Sequence, residues 1–293
     1  MNRTSEQKIA QLDCWQSSVE IEPLSGGMTN LNYKVSAGAE KYVVRLGSDD
    51  PIHLISRENE RSVCDSAFEA GLSPELVHAE LGVLVFRFIE GQVFQASDVR
   101  NDLNLARITT LLKKFHLTIP HNFQGIPVMF WAFQILRHYQ NLLHQIGSQH
   151  RDRLIELNNQ AATLEKAVGK VDIVFGHNDL LASNFIDDGE KIWLIDLEYA
   201  GFNSPLFDLS NLASKNDLST DQEMTMLESY FGHSMNLKQW RSYYAMKCAS
   251  LLRETLWSMV SEIHSDLDVD FAGYTHKNLT RFEQAFERFQ NEY

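Results

Sequence analysis

The stretch Val174–Leu212 reads VFGHNDLLASNFIDDGEKIWLIDLEYAGFNSPLFDLSNL. Within it stand His177-Asn178-Asp179, then Asn184, then an apolar run Ile192-Trp193-Leu194-Ile195 that delivers Asp196 and Glu198. Val174-Phe175 and Ile192 to Ile195 are short apolar runs bounded by turn formers, the pattern of buried strands. Polar side chains placed just beyond such runs sit on rigid supports.

Phosphoryl transfer to a hydroxyl needs that kind of placement. One carboxylate must accept the hydroxyl proton, while an amide and a second carboxylate hold magnesium on the phosphates. Asp179, Asn184 and Asp196 supply those three groups in that order. Taken singly, each has an ordinary explanation, because a lone aspartate after a strand often caps a turn or a helix. Their order and spacing are what set them apart. The pattern D-x-x-x-x-N, a strand, then a second Asp is that of protein-kinase catalytic residues, with His-Asn-Asp for His-Arg-Asp and Asp196-Leu197-Glu198 for Asp-Phe-Gly.

On these residues the chain resembles the choline/ethanolamine kinases, relatives of the aminoglycoside phosphotransferases and thiamine kinases. The H-N-D-x-x-x-x-N and I-D-x-E-Y-A-G segments and Pro205-Leu206-Phe207-Asp208-Leu209 carry the resemblance. It implies a two-lobed, protein-kinase-like α+β fold. A small antiparallel-sheet lobe that binds nucleotide is expected over residues 1–91, and a larger, mainly helical catalytic and substrate-binding lobe over 92–293. It also implies ATP and Mg2+ as cofactors, Asp179, Asn184 and Asp196 as catalytic residues, and Asn184 and Asp196 as metal ligands. His177 is expected to brace the loop. Asp208 either caps a helix starting near Leu209 or, as in the resembling family, steadies the catalytic loop.

The chain has 293 residues, 44% hydrophobic and 22% charged, the profile of an ordinary globular protein with a substantial core. Its formal net charge of −13 argues against nucleic acid or an anionic membrane as partner and favours a small cationic substrate. Cys14, Cys64 and Cys248 are widely spaced, odd in number and without a CxxC pair, which fits a reducing cytoplasm. The N-terminal segment lacks the apolar core of a signal peptide. The uncharged stretch from Leu117 to Leu136 is too rich in Pro, His and amide residues to insert into a membrane.

Val19–Leu24, Leu31–Ser36 and Lys41–Leu46 alternate as strands, separated by turn formers, and suggest an antiparallel meander. The turn Ser25-Gly26-Gly27-Met28-Thr29-Asn30 stands where a kinase-like fold covers the ATP phosphates. Gly26 and Gly27 let the backbone approach, and Thr29 and Asn30 add hydrogen bonds; the same residues also suit a plain hairpin. Arg45, on the third strand, occupies the place of the kinase lysine. It reads either as a phosphate-binding cation, as in the resembling family, or as a solvent-facing strand residue. Its expected partner lies on the helix Arg57–Ala70, where Glu58, Glu60 and Glu69 are candidates and Glu60 best matches the family. Strands over Glu75–Ala79 and Val83–Phe88 follow. Phe86-Arg87-Phe88-Ile89-Glu90-Gly91 reads as the hinge, with Phe88 and Glu90 at the adenine. Beyond it the pattern is helical: from Ser97 or Asp98 to His116, then Phe130–Gly147, Arg151–Val168, Asp221–Phe231, Leu237–Ile263 and Phe271 onward.

A quaternary ammonium needs aromatic faces, worth about 0.5 to 2 kcal/mol each, and a nearby carboxylate. Tyr199, Trp257, Phe271 and Tyr274 are the available rings, and Glu198 and Glu254 the carboxylates; each ring also suits ordinary helix packing. Eukaryotic choline kinases repeat tryptophan three residues apart, whereas this chain has Glu254-x-x-Trp257. That substitution favours an acceptor with N–H donors, such as ethanolamine. The expectation is a Mg-ATP-dependent kinase for a small cationic hydroxyl compound, choline first. Ethanolamine, thiamine or an aminoglycoside are same-superfamily alternatives, and a ligand-binding pseudokinase is the alternative of another class. A homodimer is an assembly the sequence allows.

Overall fold

Alternating apolar residues build one sheet early in the chain. In this computed structural model, which describes residues 4–24, 30–265 and 267–293, β1 (Val19–Leu24), β2 (Leu31–Ala37) and β3 (Glu40–Leu46) run antiparallel. The β2–β3 hairpin closes on Gly38-Ala39, where Gly38 takes a φ of 63°. β4 (Leu76–Glu80) and β5 (Val83–Arg87) complete the sheet in the order β1-β2-β3-β5-β4. Val35, Val44, Val83 and Val85 share a core with Ile9 and Leu12, and half-buried Cys14 packs against it. Ile9 belongs to α1 (Ser5–Ala10). α2 (Arg57–Glu69), capped by the Ser56 hydroxyl, buries Val63, Cys64 and Ala67.

The chain divides into two compact units. The first comprises residues 1–93, 118–127 and 183–199, and the second comprises 94–117, 128–182 and 200–293. The first unit therefore adds to its sheet a three-stranded one of β6 (Gln92–Val93), β8 (Phe185–Asp187) and β9 (Ile192–Leu194). Gly91 enters this sheet where no side chain fits, since a Cβ there would lie 2.7 Å from the Asp187 carbonyl oxygen.

The second unit is helical around a small ribbon of β7 (Val174–Gly176) and β10 (Gly201–Asn203). A short α3 (Ala96–Val99) precedes α4 (Asp102–Asn122), where the sequence suggested a single helix ending at His116. The break comes at Asn101, whose side-chain oxygen accepts from Leu103 and Asn104 N–H at 3.1 and 3.2 Å and starts a new helix. α4 continues through Pro120, so His116 is an interior residue. α5 (Ala132–Ile146), α6 (Arg151–Val168), α7 (Pro205–Lys215), α8 (Thr220–Phe231) and α10 (Phe271–Glu292) accompany α9 (Leu237–His264). α9 packs on α5, α6, α7 and α10 and is buried almost all round from Tyr243 to Ser261, a central helix rather than an amphipathic one. Cys248 lies in that buried length, where burial pushes its thiol up to about 12. Among the described residues no helix is long and apolar enough to cross a membrane.

Candidate active site

In the first unit, Arg45 on β3 and Glu60 on α2 meet at 2.6 Å, with the Glu60 side chain fully buried. The same Arg45 nitrogen stands 2.8 Å from Asp196. Burial opposes the charge on Arg45, but Asp196, Glu60 and Glu198 more than offset it, and its pKa is raised. The other Glu60 oxygen takes Arg57 at 2.5 Å, and Arg57 reaches on to Glu198 at 3.1 Å and to the Asn30 side-chain oxygen at 2.6 Å. Asn30 in turn donates to Glu198 at 2.9 Å. The result is a chain of alternating charge: Asp196, Arg45, Glu60, Arg57, Glu198. Gly26, Gly27 and Thr29, the rest of the expected phosphate loop, lie outside the described residues.

Asp196 stands two residues past the end of β9 and adopts a φ of 66°, a left-handed conformation that aspartate tolerates better than most residues. The Ile195 N–H donates to the Asn184 carbonyl at 3.0 Å, so the two expected metal ligands stand on neighbouring segments. Arg45, Glu60 and Asp196 form the polar end of a cavity. Val43, Cys64, Phe86, Ile89, Ile186 and Leu197 line the apolar remainder. Ile89 thus faces the cavity between the two expected hinge residues. Phe88 donates its N–H to the Lys41 carbonyl at 3.0 Å, and the Glu90 carboxylate turns to Lys41 at 2.5 Å.

In the second unit, the loop carrying Asp179 is tied down from beneath. Asp208 accepts the N–H groups of His177 and Asn178, both at 2.7 Å, and pairs with His116 Nε2 at 2.8 Å. Burial alone would raise the Asp208 pKa; the bonds from His116 and His177 lower it below the ordinary value. α7 is capped by Ser204, which settles the two readings of Asp208 against the cap. His116 Nδ1 meets the Tyr230 hydroxyl at 2.7 Å, extending the brace to α8. Asn178 takes a φ of 68°, its side-chain oxygen accepting from Asn203 at 3.0 Å, and the Asn211 side chain accepts from Leu180 N–H at 2.6 Å.

Beside Asp179 lie two cations that the sequence did not single out. Lys215 at the end of α7 stands 3.7 Å from its carboxylate and 2.7 Å from Glu254, while Arg253 stands 4.0 Å from Asp179 and 3.2 Å from Glu254. Tyr274 donates its hydroxyl to Glu254 at 2.5 Å. Burial opposes the Glu254 charge, but Lys215 and Arg253 hold its pKa well below the usual value. The Trp257 ring packs edge-on against Phe271 at 6.0 Å and Tyr274 at 6.5 Å, and both Trp257 and Phe271 are 5% exposed. So Glu254, Trp257, Phe271 and Tyr274 gather in one cluster, while Glu198 belongs to the arginine chain of the first unit and Tyr199 is buried there. The signal for Arg253 was available: Arg253-Glu254 is a pair of adjacent charges inside the apolar run of α9.

A sequence profile described as choline/ethanolamine kinase matches residues 21–247. The chain belongs to the choline/ethanolamine kinase family. It is similar to the protein LicA of Haemophilus influenzae, at 26% identity over 270 residues that cover 89% of this chain and 78% of that protein. A choline/ethanolamine kinase family protein of Mesorhizobium loti superposes with a TM-score of 0.78 at 26% identity, covering 96% of this chain and 95% of its own. The choline kinase LicA of Streptococcus pneumoniae shares the fold, with a TM-score of 0.75 at 23% identity over 92% of this chain and 94% of that one. This family member is thus a small-molecule kinase with the two-lobed, kinase-like α+β fold.

Proposed function

We propose that this kinase transfers the γ-phosphoryl group of ATP, with Mg2+, to the hydroxyl of a small amino alcohol, choline in the first instance. The observation that carries the reading is the Arg45 guanidinium, held between Glu60 and Asp196 at the polar end of an apolar cavity. The apolar walls suit a purine, and the charged end suits phosphates bound with a metal.

The donor set fits Mg2+. Among the described residues no three acidic, His or Cys side chains gather into a cage. Magnesium is commonly bound through one or two carboxylates, with phosphates and water completing the shell, and the oxygen donors of Asn184 and Asp196 suit that role. When bound, the ion neutralises phosphate charge. Arg45, aimed by Glu60, steadies the phosphates, and Asp179 accepts the acceptor hydroxyl's proton. Asp208 and His116 keep the Asp179 loop in place through the backbone. Three free thiols accord with the cytoplasm as the compartment.

One observation favours ethanolamine as a second reading. Glu254 is already engaged by Lys215, Arg253 and Tyr274, and the Trp257 and Phe271 rings are turned onto each other. An acceptor able to donate N–H hydrogen bonds depends less on an open aromatic cage than a quaternary ammonium does.

The test is ADP release with Mg-ATP over a panel of choline, ethanolamine, thiamine and an aminoglycoside, run beside Asp179→Asn. Choline- or ethanolamine-dependent turnover that falls by about 10² or more in the variant, with ATP still bound, is the expected result. Folded wild-type protein that binds ATP yet shows no acceptor-dependent release across the panel would replace the kinase reading with a ligand-binding one.

A further inference from the structure

Asp179 stands in a cluster of four charged side chains, all of them largely buried. The side-chain exposures are 16% for Asp179, 10% for Lys215, 3% for Arg253 and 7% for Glu254. The cluster sums to zero, with two carboxylates and two cations, but the contacts are uneven. Lys215 donates to Glu254 at 2.7 Å while its ammonium stands 3.7 Å from Asp179, too long for a hydrogen bond and close enough for a strong charge interaction. Glu254 is itself fixed from the far side by the Tyr274 hydroxyl. Lys215 is thus clamped by one carboxylate and presented to another. Burial opposes its charge, but Glu254 and then Asp179 outweigh burial and keep it protonated.

We infer that Lys215, seconded by Arg253, is a positioning residue for Asp179, holding that carboxylate oriented to take the acceptor's proton. The inference rests on the reading of Asp179 as the proton acceptor. In the transfer the acceptor O–H bond breaks as its oxygen bonds to the γ-phosphorus, and the proton passes to an Asp179 oxygen. The bond from phosphorus to the bridging oxygen breaks and its electrons leave with ADP. A carboxylate that takes a proton in the transfer has to be held in one orientation, and a cation clamped beside it does that. Lys215 on α7 and Arg253 on α9 face the Asp179 carboxylate, and the His177 ring accepts from the Asp179 N–H at 3.2 Å. Only Lys215 and Arg253 among them carry a fixed positive charge.

The test is kcat and the KM values in wild type, Lys215→Met, Lys215→Arg and Glu254→Gln, with a thermal melt of each. Lys215→Met should lower kcat by about 10-fold or more while the KM for ATP and the melt stay near wild type. Lys215→Arg should recover most of the lost kcat. Glu254→Gln releases the clamp on Lys215 and should lower kcat in the same way, which keeps the test decisive if Lys215→Met does not fold. A merely structural lysine would lower the melting temperature rather than kcat alone. Unchanged kcat in folded Lys215→Met, or in folded Glu254→Gln, overturns the inference while leaving the kinase reading intact. Wild-type protein without acceptor-dependent turnover would instead sink that reading, and this inference with it.

Discussion

Glu60→Gln is the substitution whose cost follows most directly from the geometry. The Glu60 side chain is fully buried, and its two oxygens are divided between Arg45 at 2.6 Å and Arg57 at 2.5 Å. Those arginine side chains are only 10% and 14% exposed, so neither charge is well hydrated once its partner is gone. Two opposite charges about 4 Å apart attract by about 4 kcal/mol at an effective dielectric of about 20. The desolvation already incurred by the cations is not returned when the carboxylate is neutralised. Removing one partner of a buried pair costs about 3 to 5 kcal/mol. The lower end applies here, because Asp196 remains 2.8 Å from Arg45 and Glu198 remains 3.1 Å from Arg57. At about 2 to 4 °C per kcal/mol for a chain of comparable size, 3 kcal/mol lowers Tm by about 6 to 12 °C. Thermal melts of wild type and Glu60→Gln followed by circular dichroism measure this, and ATP titration should show weaker binding in the variant. A variant that melts with the wild type would refute the view that this carboxylate neutralises both arginines.

Three further outcomes are expected. Gly91→Ala forces a methyl group to within 2.7 Å of the Asp187 carbonyl oxygen and should cost about 1 to 3 kcal/mol in urea unfolding, the range for overpacking. Asp208→Asn should destabilise the protein at neutral pH and much less in acid. The folded Asp208 pKa is depressed, so its stabilisation is complete above the ordinary value of 3.8 and is lost as the pH falls through the folded value; urea midpoints from neutral towards pH ~2 should converge. Asp196→Asn should raise the Mg2+ concentration for half-maximal turnover by about 100-fold, read from magnesium titrations of ADP release, since even the groups supporting metal ligands are worth 10 to 100-fold.

Local pattern made much of this molecule legible. The strands of the first sheet follow from alternation, the helices α6 and α8 from 3.6-residue spacing, and α9 from the length of its apolar run. Arg45 and Glu60 were within reach through the resemblance, which puts a cation on the third strand and its acid on the next helix; the helix pattern alone left Glu58 and Glu69 open as well. Other features were not. The break before α4 depends on a single asparagine, Asn101, whose side chain satisfies two N–H groups within a helical composition. Lys215 and Arg253 reach Asp179 from two different helices, and pairings that span tens of residues leave no periodicity to read. The pairing of His116 with Asp208 is of the same kind, spanning 92 residues. Trp257 had two readings, substrate cage or packing, and the structure shows its ring edge-on to Phe271 and Tyr274.

The three thiols give the molecule built-in chemical clocks. Cys14 is half-buried against the sheet core, Cys64 is 3% exposed in the cavity wall, and Cys248 is fully buried within α9. Burial pushes all three thiols upward in pKa, so none reacts rapidly with an alkylating reagent until its surroundings open. The alkylation rate at each position therefore times a different local opening: the sheet edge, the cavity and the helical centre. Mass spectrometry of a single labelling time course would resolve the three. Slower labelling of Cys64 on adding nucleotide, with Cys248 unchanged, would report occupancy of the cavity without following any turnover.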